Sequence, residues 1–441
     1  MTLSAVALSF ATVAVDDAID WTPSSDSPFG YGGRPDGARA LLSAIAGSTI
    51  TVAATAFSVT IAALVLASSQ FGPRLIRNFI ADTANQVVLG TFIGTFAYCL
   101  LVLRTVNGTE GEEFVPQVSI TVGVGMAMAC VVVLIYFIHH VATSIQATSI
   151  ITSVSNDLEK SIDRLYRIPN RNEEADIGTV EGREESDLDE GQAEEVSATR
   201  GGYIQTVDLG RIIALAVERD LVIKLKYHAG RFVLQRGTIA VVWPEDSVDD
   251  YAEREINGSF TLGASRTPTQ DVEFAMDQLV EIAVRALSPG VNDPFTALTC
   301  IDRLGSALVR IVEREFPDPI RRDEKGQLRV VAAFAGFGSV VDAAFNQIRQ
   351  YGHDSPAILM RLLETIAIVA RRTENEEQRD VLLRHVEMIR RAAESLPEEN
   401  DRRDAGERYR EVVRALHRVR EEEQEEAAAG ISKAGSNMEA E

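Results

Sequence analysis

The sequence predicts an α-helical transmembrane bundle followed by a mostly α, α+β cytoplasmic domain. Three apolar runs, roughly Leu41–Leu66, Val87–Leu103 and Val118–Ile138, contain no Asp, Glu, Lys or Arg. Each is near the roughly 20 residues that a helix needs to cross a hydrocarbon core about 30 Å thick. The rest of the chain is rich in Asp, Glu and Arg and carries the helical periods and turn signals of folded structure.

The formal charge of −22 over 441 residues makes nucleic acid a poor partner, because phosphate binding needs a basic patch. It also argues against a polybasic lipid anchor. The three cysteines, Cys99, Cys130 and Cys300, lie far apart, with no Cys-x-x-Cys spacing. They are expected to be packing residues, with no disulfide framework, no metal site and no cofactor.

The segment Leu3–Val15 is apolar but short, and lacks the basic leader and cleavage site of a signal peptide. It is expected to be a shortened first span, completing a transmembrane unit over residues 1–140. Positive charge sets orientation. The connection Ser68–Gln86 carries Arg74 and Arg77, and Thr105–Gln117 carries Glu110, Glu112 and Glu113. The former is therefore inside and the latter outside, which leaves the long C-terminal region cytoplasmic and the protein in the cell inner membrane.

Ser48, Thr51, Thr55 and Ser58 recur at intervals of three and four, so they share one helix face. That stripe suits either a water-filled path or helix packing, and packing is preferred because hydroxyls bond readily to backbone carbonyls. Gly90 and Gly94 have the small-residue spacing that lets two helix backbones approach closely. No charged residue lies within a span and no Pro interrupts one. A proton relay, a voltage sensor and an ion-coupled transporter with broken helices are thus disfavoured. His139 and His140 are expected to be interfacial.

Beyond His140 the apolar residues keep a helical period to Leu165, which predicts a helical stalk over 141–168 ending near Pro169. Residues 169–200 are dominated by Glu, Asp, Gly, Ser and Ala and are expected to be a disordered acidic linker. A small α/β module is expected over 201–265: a helix at Asp208–Asp220, then strands at Leu221–Tyr227, Arg231–Leu234 and Thr238–Trp243. Its hairpins resemble carrier modules loosely, but no lysine occupies a turn tip, so a packing unit is expected.

A helical domain is expected over 266–425, followed by a tail over 426–441. Thr267-Pro-Thr-Gln270 has the form of an N-cap with a capping box. The helix that follows stops at Ser288-Pro289-Gly290, and Asn292-Asp293-Pro294 starts the next. Asp277, Glu281 and Arg285 fall on one face, where Arg285 is the cation the two carboxylates require. The turn holding Ser288, Asn292 and Asp293 suits either ligand binding or plain capping, and capping is preferred. Phe334-Ala-Gly336-Phe-Gly338 has two glycines of a dinucleotide loop but lacks the third, so no nucleotide site is expected there.

The string Arg285-Ala-Leu-Ser-Pro-Gly-Val-Asn-Asp-Pro-Phe-Thr-Ala297 resembles the signature of a bacterial membrane-protein family known as domain of unknown function 2254. So do Ala67-Ser-Ser-Gln-Phe-Gly-Pro-Arg-Leu-Ile-Arg-Asn78, Asn85-Gln-Val-Val-Leu-Gly-Thr-Phe92 and Ile135-Tyr-Phe-Ile-His-His140. The resemblance implies a multi-span membrane protein with a soluble C-terminal part and supplies no catalytic residues. Members usually open with a full apolar span, and this chain departs there.

Two functions follow as expectations. The first is a homo-oligomeric channel or permeation-type protein, lined by the hydroxyl stripe and gated by the cytoplasmic domain. The second is a membrane-anchored sensor or scaffold whose helical domain binds a ligand or protein at Ser288–Asp293. No catalytic signature supports an enzyme.

Overall fold

The computed structural model describes residues 1–18, 34–71, 83–109, 112–144, 146–167, 188, 191, 193–373 and 375–416. At 67–71, 108–109, 112–113 and 144 it describes the backbone alone. Arg74, Arg77, Glu110, most of the acidic segment 169–200 and the tail lie outside the described residues. The chain forms two compact units, Met1–Ile150 and Ile151–Glu441.

The first unit holds α1 (Thr2–Ala18), α2 (Pro35–Phe71), α3 (Thr83–Thr105), a hairpin of β1 (Asn107–Thr109) and β2 (Glu112–Phe114), and α4 (Gln117–Ser144). Pro35–Leu66, Thr83–Thr105 and Gln117–Thr143 are long and apolar enough to cross a membrane. The helix α1 has 17 residues and packs along α3 and α4.

Close approach of α1 to α3 depends on Gly90 and Gly94. A Cβ at Gly94 would lie 3.3 Å from Ala5 Cβ, and one at Gly90 3.3 Å from Met1 Cβ. Polar contacts seal the same bundle. The Tyr98 hydroxyl donates to Ser119 O at 2.9 Å and lies 2.9 Å from Thr12 Oγ1. Asp16 closes the N-terminus of α4, accepting from the N–H groups of Val118 and Ser119 at 2.8 and 2.9 Å and from Ser119 Oγ at 2.6 Å. An α-helix start leaves such N–H groups without intrahelical partners, and a carboxylate satisfies both charge and geometry.

The second unit opens on α5 (Ala147–Leu165). Its apolar stripe, Ile151, Val154, Leu158 and Ile162, is fully buried. Arg310 and Arg314 clamp its outer edge through Asp163, and Ser161 donates to Pro268 O. The expected stalk is therefore not a free helix: its hydrophobic face is spent inside the folded unit.

Two sheets follow. The larger has the order β3 (Glu194–Ser197), β7 (Thr238–Trp243), β5 (Val222–Leu225), β10 (Leu328–Val331), β9 (Ile320–Arg322). All neighbours are antiparallel except β5 and β10, which run parallel with Val330 opposite Ile223. The smaller is β6 (Phe232–Val233), β4 (Gly202–Val207) and β8 (Phe260–Gly263). The short helices α6 (Leu209–Glu218) and α7 (Asp250–Gly258), capped by Asp208 and Asp249, complete this layer. Ile204, Ile212, Ile223, Ala240 and Val330 form its core.

The helical layer contains α8 (Val272–Ala286), α9 (Pro294–Val312), α10 (Phe337–Tyr351), α11 (Pro356–Ala370), α12 (Glu376–Ala393) and α13 (399–416). It is not separate from the sheet as the sequence suggested. Residues 320–331, expected to be helical, form two strands of the sheet begun by β5, and Glu194–Ser197, expected in the linker, forms an edge strand. Strands of three or four residues are too short to carry a period by which to tell them from helix.

Candidate ligand-binding site

One cavity of about 640 Å³ opens in the second unit at the carboxyl ends of the parallel strands β5 and β10. The chain leaves β5 for β6 and leaves β10 for α10, so the two exits diverge and open a crevice between them.

Four segments wall the cavity. The end of α5 contributes Arg164, Tyr166 and Arg167. The loop after β5 contributes Tyr227, His228 and Ala229. The connection between α9 and β9 contributes Glu315, Phe316 and Asp318, and β9 itself contributes Arg321. The loop after β10 contributes Ala333, Phe334 and Ala335. Gln270 and Asp271 close the remaining side.

The walls are fixed from outside. Glu315 N donates to Arg167 O at 3.0 Å, and Arg314 Nη1 donates to Tyr166 O at 2.9 Å, so the end of α5 is pinned to the α9–β9 connection. Tyr166 packs edge-on against Phe316 with ring centroids 5.0 Å apart. Asp271 caps α8 through Phe274 N at 2.9 Å and takes a two-pronged contact from Arg266 at 2.7 and 2.8 Å. Its charge is therefore neutralised from behind the cavity wall.

The groups left facing the space are unusual for so acidic a chain. Among the described residues Arg164 donates only to Pro268 O and Ser161 Oγ. Arg321 donates to Ile320 O and lies 5.7 Å from the Phe334 ring centroid. Arg167 has no side-chain partner among the described residues. None of the three forms an ion pair with a described carboxylate, whereas Arg266, Arg310, Arg314 and Arg329 all do. Tyr166 is 5% exposed, yet its hydroxyl has no hydrogen bond within the described residues. Burial raises its pKa, and the charges of Glu273 and Asp271 raise it further, so the phenol stays protonated and is a donor. His228 Nδ1 donates to Ala229 O at 2.7 Å, which leaves Nε2 to accept from Arg231 at 3.2 Å.

None of the pore, packing or turn candidates singled out from the sequence lines this cavity; Gln270 and Phe334, noted for other reasons, do. Ser48, Thr51, Thr55 and Ser58 lie on the exposed face of α2, and each hydroxyl donates to its own helix, to Ile45 O, Gly47 O, Thr51 O and Ala54 O. Gly90 and Gly94 serve the α1–α3 contact. The turn after α8 closes on itself. Ser288 Oγ donates to Arg285 O at 2.6 Å, and Asp293 caps α9 through Thr296 N at 3.2 Å and Thr296 Oγ1 at 2.6 Å. Asn292, at φ +49°, makes the left-handed corner.

Two local expectations are corrected. The cap of α8 is Asp271, not Thr267, because Gln270 spends its side chain on the backbone of Val207. Asp277 is met by Arg266 at 2.8 Å, and Arg285 turns to Glu281 at 3.2 Å. The cavity residues escaped notice because they come from segments scattered between Arg164 and Ala335. Their one local signal is the glycine-containing loop after Phe334.

Residues 1–367 match the family of predicted membrane proteins DUF2254. The chain belongs to the DUF2254 family. Its relatives include uncharacterized proteins of Mycobacterium bovis and of two strains of Mycobacterium tuberculosis. Each is 33% identical over 381 residues, covering 84% of this chain and 71% of the relative. No solved structure matches it. The DUF2254 match covers the three candidate spans and the cavity segments alike.

Proposed function

We propose that this DUF2254 protein is a membrane-anchored, ligand-responsive module, with its second unit on the cytoplasmic side of the cell membrane. One observation carries the reading. Arg164, Tyr166 and Arg167, at the end of the helix that starts just past the last span, form a wall of the cavity. A ligand held there touches the segment that leads to the membrane. The distribution of Arg74 and Arg77 against Glu110, Glu112 and Glu113 supports the orientation.

The test is hydrogen exchange along 147–167 in the full chain in lipid nanodiscs. Ala335→Trp fills the cavity and stands in for a ligand. Protection of the α5 amides rises several-fold if cavity and helix are coupled. Unchanged exchange in a variant with wild-type melting overturns the reading.

A second reading keeps the pore. The hydroxyls of Ser48, Thr51, Thr55 and Ser58 share one outer face of α2 that no other described helix covers. A homo-oligomer that gathered these faces around an axis would line a path with hydroxyls. Solute flux into liposomes that falls with Thr51→Phe and Thr55→Phe supports it, and unaltered flux removes it.

A further inference from the structure

We infer that the cavity of the second unit binds a nucleoside phosphate. The inference rests on the ligand-responsive reading above and names its ligand. The phosphate end is argued from charge. Arg164, Arg167 and Arg321 line one space and form no ion pair with a described carboxylate, and their guanidinium forks suit phosphate oxygens.

Ala333–Ala335 line the space from the loop after β10, and the start of α10 at Gly336 lies outside that lining.

Tyr166 is the independent sign of a ligand. Its ring is buried, and its hydroxyl, with no partner among the described residues, is accessible from the cavity that the residue lines. The ring end is argued from shape. Phe334 and Tyr227 present aromatic surface to the same space. Glu315 and Asp318 stand at the exposed rim, as do Arg164 and Arg167, and Asp318 already accepts from Ile320 N at 2.8 Å. These carboxylates oppose a bare anion and suit the hydroxyls of a ribose. The volume lies within the roughly 300–1,000 Å³ typical of small-molecule sites.

The experiment titrates the full chain in detergent with AMP, GMP, CMP and UMP by calorimetry, with adenosine and inorganic phosphate as separate arms. At least one nucleotide binds, and adenosine and phosphate alone bind at least about tenfold more weakly, as expected when each supplies only part of the contact. Arg321→Gln and the exposed Arg167→Gln each weaken nucleotide binding about tenfold, with the melting temperature of Arg167→Gln unchanged. Silence toward all four nucleotides, equal affinity in both variants, or phosphate binding as tightly as nucleotide overturns the inference. A silent titration alongside altered α5 exchange in Ala335→Trp overturns the nucleotide but leaves the responsive module. Nucleotide binding without any change in α5 exchange supports the nucleotide and overturns the module.

Discussion

Gly230 backs onto the carboxylate of Asp271, with no room for a side chain between them. A Cβ at Gly230 would lie 2.6 Å from Asp271 Cγ, and the residue's φ of +95° is itself open only to glycine. Asp271 cannot retreat, because Arg266 and the start of α8 hold it. Gly230→Ala is expected to cost more than the roughly 1–2 kcal/mol of left-handed strain alone. Denaturant unfolding of the full chain in detergent measures it, and a loss below that range would mean the loop relaxes.

Asp271→Asn separates the cap from the ion pair. Asparagine still caps a helix, so loss of the cap accounts for little. Removing the charge leaves Arg266 with Asp277 and Glu273, so the loss is that of a charged hydrogen bond, about 1.5–3 kcal/mol. The side chain of Asp271 is 2% exposed, so solvent does little to compensate. A cost near that of an ordinary cap, about 1 kcal/mol, would reassign the role of Arg266.

Gly305 lets α9 and α11 touch. A Cβ there would overlap Thr365 Cγ2, while Thr365 Oγ1 stands 3.8 Å away. Gly305→Ala should destabilise by about 1–3 kcal/mol through overpacking. Thr365→Ser, which deletes the obstructing methyl, should recover most of that loss in the double variant. Additive effects of the two changes would refute the contact.

In the membrane unit, Asp16→Ala removes the three hydrogen bonds that close α4. A lost N-cap costs about 0.5–2 kcal/mol. Thermal unfolding in detergent should show a lower midpoint, with Asp16→Asn intermediate. An unchanged midpoint for Asp16→Ala would detach α1 from the stability of α4.

His385 sets a pH dependence. It is fully buried, its Nε2 lies 2.9 Å from Asp342 Oδ1, and its Nδ1 has no partner among the described residues. Burial lowers its pKa, outweighing the opposing pull of Asp342, with Arg384 and Arg349 adding to the lowering. The unfolded chain then takes up a proton near pH 6.5 that the folded chain refuses, so stability falls as pH drops below that value. Melting temperatures between pH 7.5 and 5.5 should fall less in His385→Leu than in wild type. Asp249, Glu255, Asp323 and Glu387, whose pKa values are lowered, act only at more acid pH.

The helices were legible because their signals are local. Asp293-Pro294 and Pro356 mark helix starts by the chemistry of one or two residues, and the three spans announce themselves by length. The strands Ile320–Arg322 and Leu328–Val331 were not legible, since both are very short and the partner that fixes the second in the sheet, β5, lies far back in the chain. The cavity was hidden for the same reason. Tyr166 and Phe334 share one wall system only because β10 pairs with β5, which no local pattern encodes. Arg266 escaped because it reaches its carboxylates from a loop, outside the helical spacing that was used to pair charges.

The parallel pairing of β5 with β10 also has a consequence for biosynthesis. About a hundred residues separate the two strands, on the order of 5–20 s of elongation at roughly 5–20 residues per second. Throughout that interval one side of β5 offers unpaired backbone groups at a bilayer where the spans have already emerged from the ribosome. A nascent chain in this state is open to mispairing with its neighbours on the same polysome. Stalled or truncated products that end before Leu328 should therefore be the aggregating species in cells making this protein, and a chaperone that shields a bare strand edge is what its synthesis most needs.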